Sequence, residues 1–352
     1  MNPARCRACC ERPPISSDVP DAALTVLSAA PIRTGGASGT RYLLRRPHAV
    51  TGHAETDAAL STFEAIVLDP VGRPAAEAPV VTLLNGITRG LDRTLVAGAA
   101  LASRGVGAVL FDTPLGGRRT LTSGGPPDSL AALARADIQM DAAFASRLFD
   151  GVADDFPAVL QLAAERHALR EGVEGRLALA GLSFGCLLSA YAFGRDGRGE
   201  RLLGAIGHPD LRGMALGLAE TFARFSGVPA AVLQAGLRAG PLGEAAARRY
   251  GGDVAVGAFR LARLLAQLGR GGGPNPIVFS PSVGSSRAVA FLAGEADPVA
   301  PPDAVRAAAS RYPSHHVETV PRLGHGWYPQ GSGSFQADLN GFLLRAMGDW
   351  VV

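Results

Sequence analysis

From residue 80 onward, short runs of unbroken apolar residues alternate with longer segments of helical spacing. Val80 to Leu84, Val106 to Phe111, Leu177 to Ala180 and Leu202 to Ile206 are short apolar runs rich in Val, Leu and Ala. Runs of this kind are buried on both faces of a parallel sheet. Between them the spacing predicts helices over Leu91 to Ser103, over a long region from Ser129 to about Leu169 broken near Pro157, and from Phe184 to Ala192. Strand, helix, strand, helix at this interval predicts an open, mostly parallel sheet flanked by helices and joined by right-handed crossovers. Upstream, Thr40 to Leu44 and Phe63 to Leu68 are strand-like pieces set apart by Gly, Pro and polar breakers. They suit an antiparallel edge.

The alternation stops at His208. Residues 208–286 are rich in Ala, Leu, Gly and Arg, with helical patterns at Met214 to Phe225, Gly243 to Tyr250 and Val254 to Leu268, and a glycine-proline break at Gly271 to Pro276. A helical insertion over the sheet, placed after the sixth strand, fits better than a long structureless loop. The sheet pattern then resumes with Ala288 to Leu292, a helix opened by Pro301-Pro302-Asp303, the strand-like Val317 to Val320 and a last helix from about Phe335 to Met347. The expected organisation is a disordered tail over 1–20, a core over 21–207, the helical cap over 208–286 and the rest of the core over 287–352.

Composition narrows the chemistry. The 352 residues carry a net charge of +3, with 47 % hydrophobic and 18 % charged positions, a soluble globular balance. All 34 basic side chains are arginine, which excludes a Schiff-base or P-loop lysine. No dense basic cluster with interleaved aromatics supports nucleic-acid binding. Cys6, Cys9 and Cys10 lie in the proline-flanked start with no second ligand pair at zinc spacing, and Cys186 sits on an apolar helix. Neither a metal nor a cofactor is therefore expected. No leader pattern or membrane-length apolar stretch stands out, so a cytoplasmic protein without a membrane span is expected.

The candidate chemistry centres on Gly181-Leu-Ser183-Phe-Gly185, between a buried strand and a helix. A serine becomes a nucleophile when its hydroxyl projects clear of the backbone towards a base, and a tight strand-to-helix turn with flanking glycines achieves this. The base requires a carboxylate to orient it. Downstream, Asp297 follows the Ala288 strand in Gly294-Glu-Ala-Asp297-Pro-Val-Ala-Pro301, and His325 follows the Val317 strand in Gly324-His325-Gly326. Asp210, after the Leu202 strand, is the alternative acid.

Ser, Asp and His in this order, each on its own loop, resemble the α/β-hydrolase superfamily over most of residues 60–207 and 287–347. The resemblance implies the α/β-hydrolase fold and a serine esterase, lipase or thioesterase acting on a small-molecule ester or thioester through Ser183, His325 and Asp297. An acyltransferase with the same triad and a non-catalytic, hydrolase-like binding protein are the alternatives. It also implies an oxyanion hole from the backbone N–H groups of Ile87 and Phe184, with Asn85 standing where the family commonly has His. Asn85, Gly86 and Trp327 are expected to line the substrate site. The loop Asp112 to Arg118 resembles a structural D-x-x-G-x-G loop of the family. Arg89, Arg118 and Arg119 are expected to be solvated loop arginines.

Overall fold

Nine strands form one sheet in the order β1-β2-β3-β5-β4-β6-β7-β8-β9. The computed structural model describes residues 23–48, 52, 54–86, 90–119, 134–135, 142–196, 199–210, 213, 217, 241–268, 287–326, 328 and 333–351. The strands are β1 Thr25–Thr34, β2 Ala37–Arg45, β3 Thr62–Leu68, β4 Val80–Leu84, β5 Gly107–Phe111, β6 Leu177–Leu182, β7 Arg201–Ala205, β8 Ala288–Gly294 and β9 Ser314–Val320. β1, β2, β3 and β5 pair antiparallel, and β5, β4, β6, β7, β8 and β9 pair parallel. The described helices are α1 Ala54–Ser61, α2 Asp92–Ala102, α3 Ala142–His167, α4 Arg170–Glu174, α5 Phe184–Asp196, α6 Pro241–Leu268, α7 Pro302–Ala309 and α8 Phe335–Met347.

The apolar runs become the central strands because both their faces are covered. Every residue of β4, β5 and β6 is buried. One core layer joins these strands to α3, α5 and α7 through residues such as Phe111, Phe149, Phe156, Leu187 and Val305. The other joins them to α2 and α8 through Leu83, Leu101, Leu110, Leu339 and Phe342. Full burial of one such Leu or Phe side chain contributes about 1.5–3 kcal/mol.

Register places the chemistry along one edge. Leu84 pairs with Phe111 and Gly181, and Ala205 pairs with Leu182 and Leu292. The segments carrying Asn85, Asp112, Ser183, Ile206, Asp297 and His325 therefore all leave the sheet at the carboxyl ends of its strands. In open α/β sheets that edge is where ligands bind.

Several expectations change. β1 carries no strand signal because seven consecutive residues at its start are exposed, so neither face imposes an apolar alternation. With β1 counted, the segment 208–286 follows the seventh strand rather than the expected sixth. α3 runs through Pro157 without the expected break. The Met214–Phe225 pattern and the tail over 1–20 lie outside the described residues. α6 comprises two helices joined at Gly251 and Gly252, the latter at φ 60°, matching the two helical patterns predicted there. Among the described residues no helix is long and apolar enough to cross a membrane.

Arg119 departs furthest from its expected solvated place. Arg118 is 64 % exposed, but the Arg119 side chain is 1 % exposed and its Nη2 lies 2.6 Å from Asp155 Oδ2. Arg46 Nη1 and His48 Nε2 lie 3.5 and 3.0 Å from Asp155 Oδ1, and the Arg119 guanidinium stacks 3.9 Å above the Phe63 ring. Burial alone would push the Asp155 carboxyl up, but the Arg119 charge and the His48 hydrogen bond hold it below the ordinary carboxylate range. The network ties α3 to the loop after β5. Asp112, at the head of that loop, accepts hydrogen bonds from the backbone N–H groups of Glu64 and Arg118. Burial nevertheless pushes its carboxyl up to about 6.

Two stability predictions follow from these carboxylates. Replacing Asp155 with Ala leaves buried guanidinium groups without their anion, and is expected to cost about 3–5 kcal/mol in urea unfolding at neutral pH. A cost below about 1 kcal/mol would contradict the buried pairing. Asp112 acts in the opposite sense. Its folded pKa of about 6 lies above the ordinary 3.8, so between those values the folded state holds more protons than the unfolded chain. Its contribution is full below the lower value and is lost as pH rises through the upper one. The stability of wild type minus that of Asp112→Asn is expected to fall by about 3 kcal/mol across that window. A flat or rising difference would contradict it.

Candidate active site

Ser183 is the single residue between β6 and α5, and its φ is +52°. This left-handed conformation is costly for an L residue with a side chain, of order 1–3 kcal/mol at strained sites. Local sequence makes it possible. A Cβ on Gly181 would lie 2.1 Å from Gly185 O, and one on Gly185 would lie 2.5 Å from Asn85 O and Leu84 O. Any side chain at either place would force strand, turn and helix apart. Ser183 N–H donates to Ala205 O at 2.9 Å, and Cys186 N–H donates to Ser183 O at 3.0 Å. Cys186 is fully buried behind the turn, and burial pushes its thiol up to about 12, so it is a packing group at neutral pH.

Ser183 Oγ lies 2.7 Å from His325 Nε2. On the far side of the ring, Nδ1 lies 3.0 Å from Asp297 Oδ2 and 3.1 Å from Oδ1. The carboxylate can only accept at Nδ1, which therefore carries the proton and leaves Nε2 with the lone pair facing the serine hydroxyl. The Asp297 side chain is 0 % exposed and that of His325 is 18 % exposed. Asp297 is compensated for its burial: Oδ1 also accepts from Val299 N–H at 2.8 Å and Ala300 N–H at 3.1 Å. The chain thus brings together three residues separated by 142 and 28 positions in sequence.

The other predicted positions divide. Phe184 opens α5, so its N–H belongs to the first turn and has no intrahelical carbonyl to meet. Its side chain is buried in the core, edge-on to Phe149. Gly86 stands beside Ser183, since a Cβ there would lie 3.3 Å from Ser183 Cβ. Asn85 is 2 % exposed, and its Oδ1 accepts from Thr113 N–H at 3.1 Å, joining the ends of β4 and β5. Ile87, Arg89 and Trp327 lie outside the described residues.

Asp210 is engaged elsewhere. Its Oδ2 pairs with Arg311 Nη1 at 3.2 Å and its Oδ1 accepts from Gly213 N–H at 3.4 Å. Its own N–H donates to His208 Nδ1. His208 is 5 % exposed, and burial holds its pKa below the ordinary imidazole value, so it is neutral at pH 7. Among the described residues no group of three or more His, Cys, Asp or Glu side chains is arranged to hold a metal ion.

Two features of the site escaped the sequence. Ile206, the residue after β7, has φ +45° and is 4 % exposed. Nothing in a β-branched residue at a strand end signals a left-handed backbone. Arg93 Nη1 donates to Gly326 O at 3.1 Å across 233 positions of sequence, a pairing that no local pattern encodes. Apart from this site, a cavity of about 410 Å³ opens at the starts of β7, β8 and β9 against α8, at the other end of the strands from Ser183.

No family model matches the chain, and no curated protein does. Solved structures do. Acetyl xylan esterase 1 from a Thermoanaerobacterium species is 15 % identical with a TM-score of 0.50, over 93 % of this chain and 88 % of that one. A thermophilic esterase from Thermogutta terrifontis is 16 % identical with a TM-score of 0.43, over 85 % of this chain and 98 % of that one. At these identities the likeness concerns architecture. With a largely parallel nine-stranded sheet flanked by helices, and a serine on the sharp turn beyond its sixth strand, the chain has the α/β-hydrolase fold.

Proposed function

We propose that the chain is a serine hydrolase of carboxylic esters or thioesters. The observation that carries this reading is the unbroken hydrogen-bonded line from Ser183 Oγ through both nitrogens of His325 to the buried carboxylate of Asp297. Strain supports it: a serine at φ +52° is the kind of backbone outlier that clusters at functional sites.

In the proposed reaction His325 Nε2 takes the hydroxyl proton as Ser183 Oγ bonds to the acyl carbon. Asp297 stays ionised, orients the ring and stabilises the imidazolium. The carbonyl oxygen becomes an oxyanion, for which the Phe184 and Ile87 N–H groups are the intended donors. One such donor is typically worth about 3 kcal/mol in the transition state. The tetrahedral intermediate collapses as its bond to the leaving oxygen or sulfur breaks, and His325 returns the proton to that atom. Water, deprotonated by His325, then attacks the acyl-enzyme, and the acid departs with Ser183 Oγ reprotonated. The segment 208–286 is proposed as a cap that bounds the acyl site. Within it, α6 packs against α3 and is braced by an Arg260–Glu244 ion pair.

A series of p-nitrophenyl esters from acetate to decanoate tests this reading. Wild type is expected to hydrolyse members of the series, with a preference for chains longer than acetyl if the cap encloses an apolar cavity. Ser183→Ala is expected to lose activity by roughly 10⁴-fold or more. Equal turnover by the two proteins would refute the assignment. The acid is tested separately. Asp297→Asn reverses the donor–acceptor pattern at Nδ1 and is expected to lower kcat by roughly 10⁴-fold. Asp210→Asn is expected to stay within about threefold of wild type, because its carboxylate is engaged by Arg311 and the Gly213 N–H rather than by His325. The opposite ranking would make Asp210 the acid.

A further inference from the structure

The turn that carries His325 is short and flanked by glycines. Gly324 and Gly326 flank the histidine, and Gly326 N–H donates to Gly324 O at 2.8 Å, closing a γ-turn centred on His325. Gly326 itself has φ +81°. A three-residue turn between two glycines has little intrinsic stiffness, yet general-base catalysis needs Nε2 held at hydrogen-bond distance from Ser183. Asp297 fixes one end of the ring. It does not fix the backbone beyond it.

Among the described residues, Arg93 and Ile206 press on that backbone from outside, with Phe335 closing the third side. Arg93, in the first turn of α2, donates from Nη1 to Gly326 O at 3.1 Å. Ile206 approaches from the end of β7. A Cβ on Gly326 would lie 2.9 Å from Arg93 Nη1, 3.0 Å from Ile206 Cδ1 and 4.0 Å from Phe335 Cε1, so the glycine sits in a close three-sided slot. Arg93 is itself fixed. Its guanidinium lies 5.3 Å from the centroid of the Phe335 ring, and its carbonyl accepts from Gln336 Nε2 at 3.3 Å.

Ile206 supplies an independent sign that this contact matters. A β-branched residue at φ +45° is disfavoured, and it persists only where its surroundings over-determine it. Here its N–H donates to Leu292 O at 2.8 Å, while the preceding carbonyl, Ala205 O, accepts from Ser183 N–H. One strand end therefore touches the serine turn through its backbone and the histidine turn through a side chain. A two-residue link of this kind fixes the distance between nucleophile and base.

We infer that Arg93, acting with Ile206 on Gly326, is a positioning residue that sets His325 Nε2 against Ser183 Oγ. The role rests on the serine-hydrolase reading for its effect on rate, but the placement of the imidazole is measurable without turnover. Arg93 lies at the surface, so Arg93→Ala is expected to keep the wild-type melting temperature. Its kcat for p-nitrophenyl butyrate is expected to fall about tenfold with KM within about twofold, because a misplaced base affects the chemical step more than binding. Arg93→Lys, which retains a donor for Gly326 O, is expected to recover most of the loss. In parallel, the imidazole N–H signal of His325 in proton NMR is expected to broaden in Arg93→Ala and to return in Arg93→Lys. Wild-type kcat together with an unaltered His325 signal in Arg93→Ala would overturn the inference. So would a loss confined to KM, or one that lysine does not restore and that comes with a lowered melting temperature. If wild type hydrolyses no ester while the His325 signal still depends on Arg93, the hydrolase reading fails and the clamp stands.

Discussion

The left-handed turn at Ser183 is the constraint on which the rest of the structure depends. It persists because Gly181 and Gly185 let β6, α5 and the end of β4 come within distances that no side chain would permit. Strain in one residue is small beside the burial that surrounds it: every residue of β6 and most of the described residues of α5 are inside the protein. A locally unfavourable backbone is thereby fixed by non-local packing, and the hydroxyl is aimed by the fold rather than by its own preference.

The partners of Ser183 reach it through the sheet. Parallel pairing with matched registers brings the ends of β6, β7, β8 and β9 to one edge, so residues far apart in sequence arrive within hydrogen-bond distance. The carboxylate at this edge is compensated by two backbone N–H groups and an imidazole. The buried carboxylate on the flank, Asp155, is compensated instead by two guanidinium groups and His48. The distinction is chemical. A carboxylate facing arginines is locked in an ion pair, whereas one facing backbone donors and a single imidazole can hold a ring whose own charge changes.

Much of this was legible in the sequence because it is encoded locally. Both-face burial leaves continuous apolar runs, and β4 and α8 came out with the predicted limits. The elbow and the acid and histidine loops are short motifs, so Ser183, Asp297 and His325 could be named before their distances were known. The illegible parts depend on distant partners. Arg119 is a loop arginine in sequence, and only the placement of α3 makes it a buried ion. Ile206 is an ordinary strand residue until the histidine turn packs on it, and Arg93 binds a carbonyl 233 positions away. β1, exposed along most of its length, carries no alternation because no core reads it.

The central claim is that Ser183 is a nucleophile activated by His325. The most direct measurement is treatment of the native protein with a fluorophosphonate, followed by intact-mass and peptide mass spectrometry. The account predicts one phosphonyl adduct per chain, mapped to Ser183 and absent from Ser183→Ala. An unlabelled wild type, or an adduct that persists at another residue in Ser183→Ala, would contradict it.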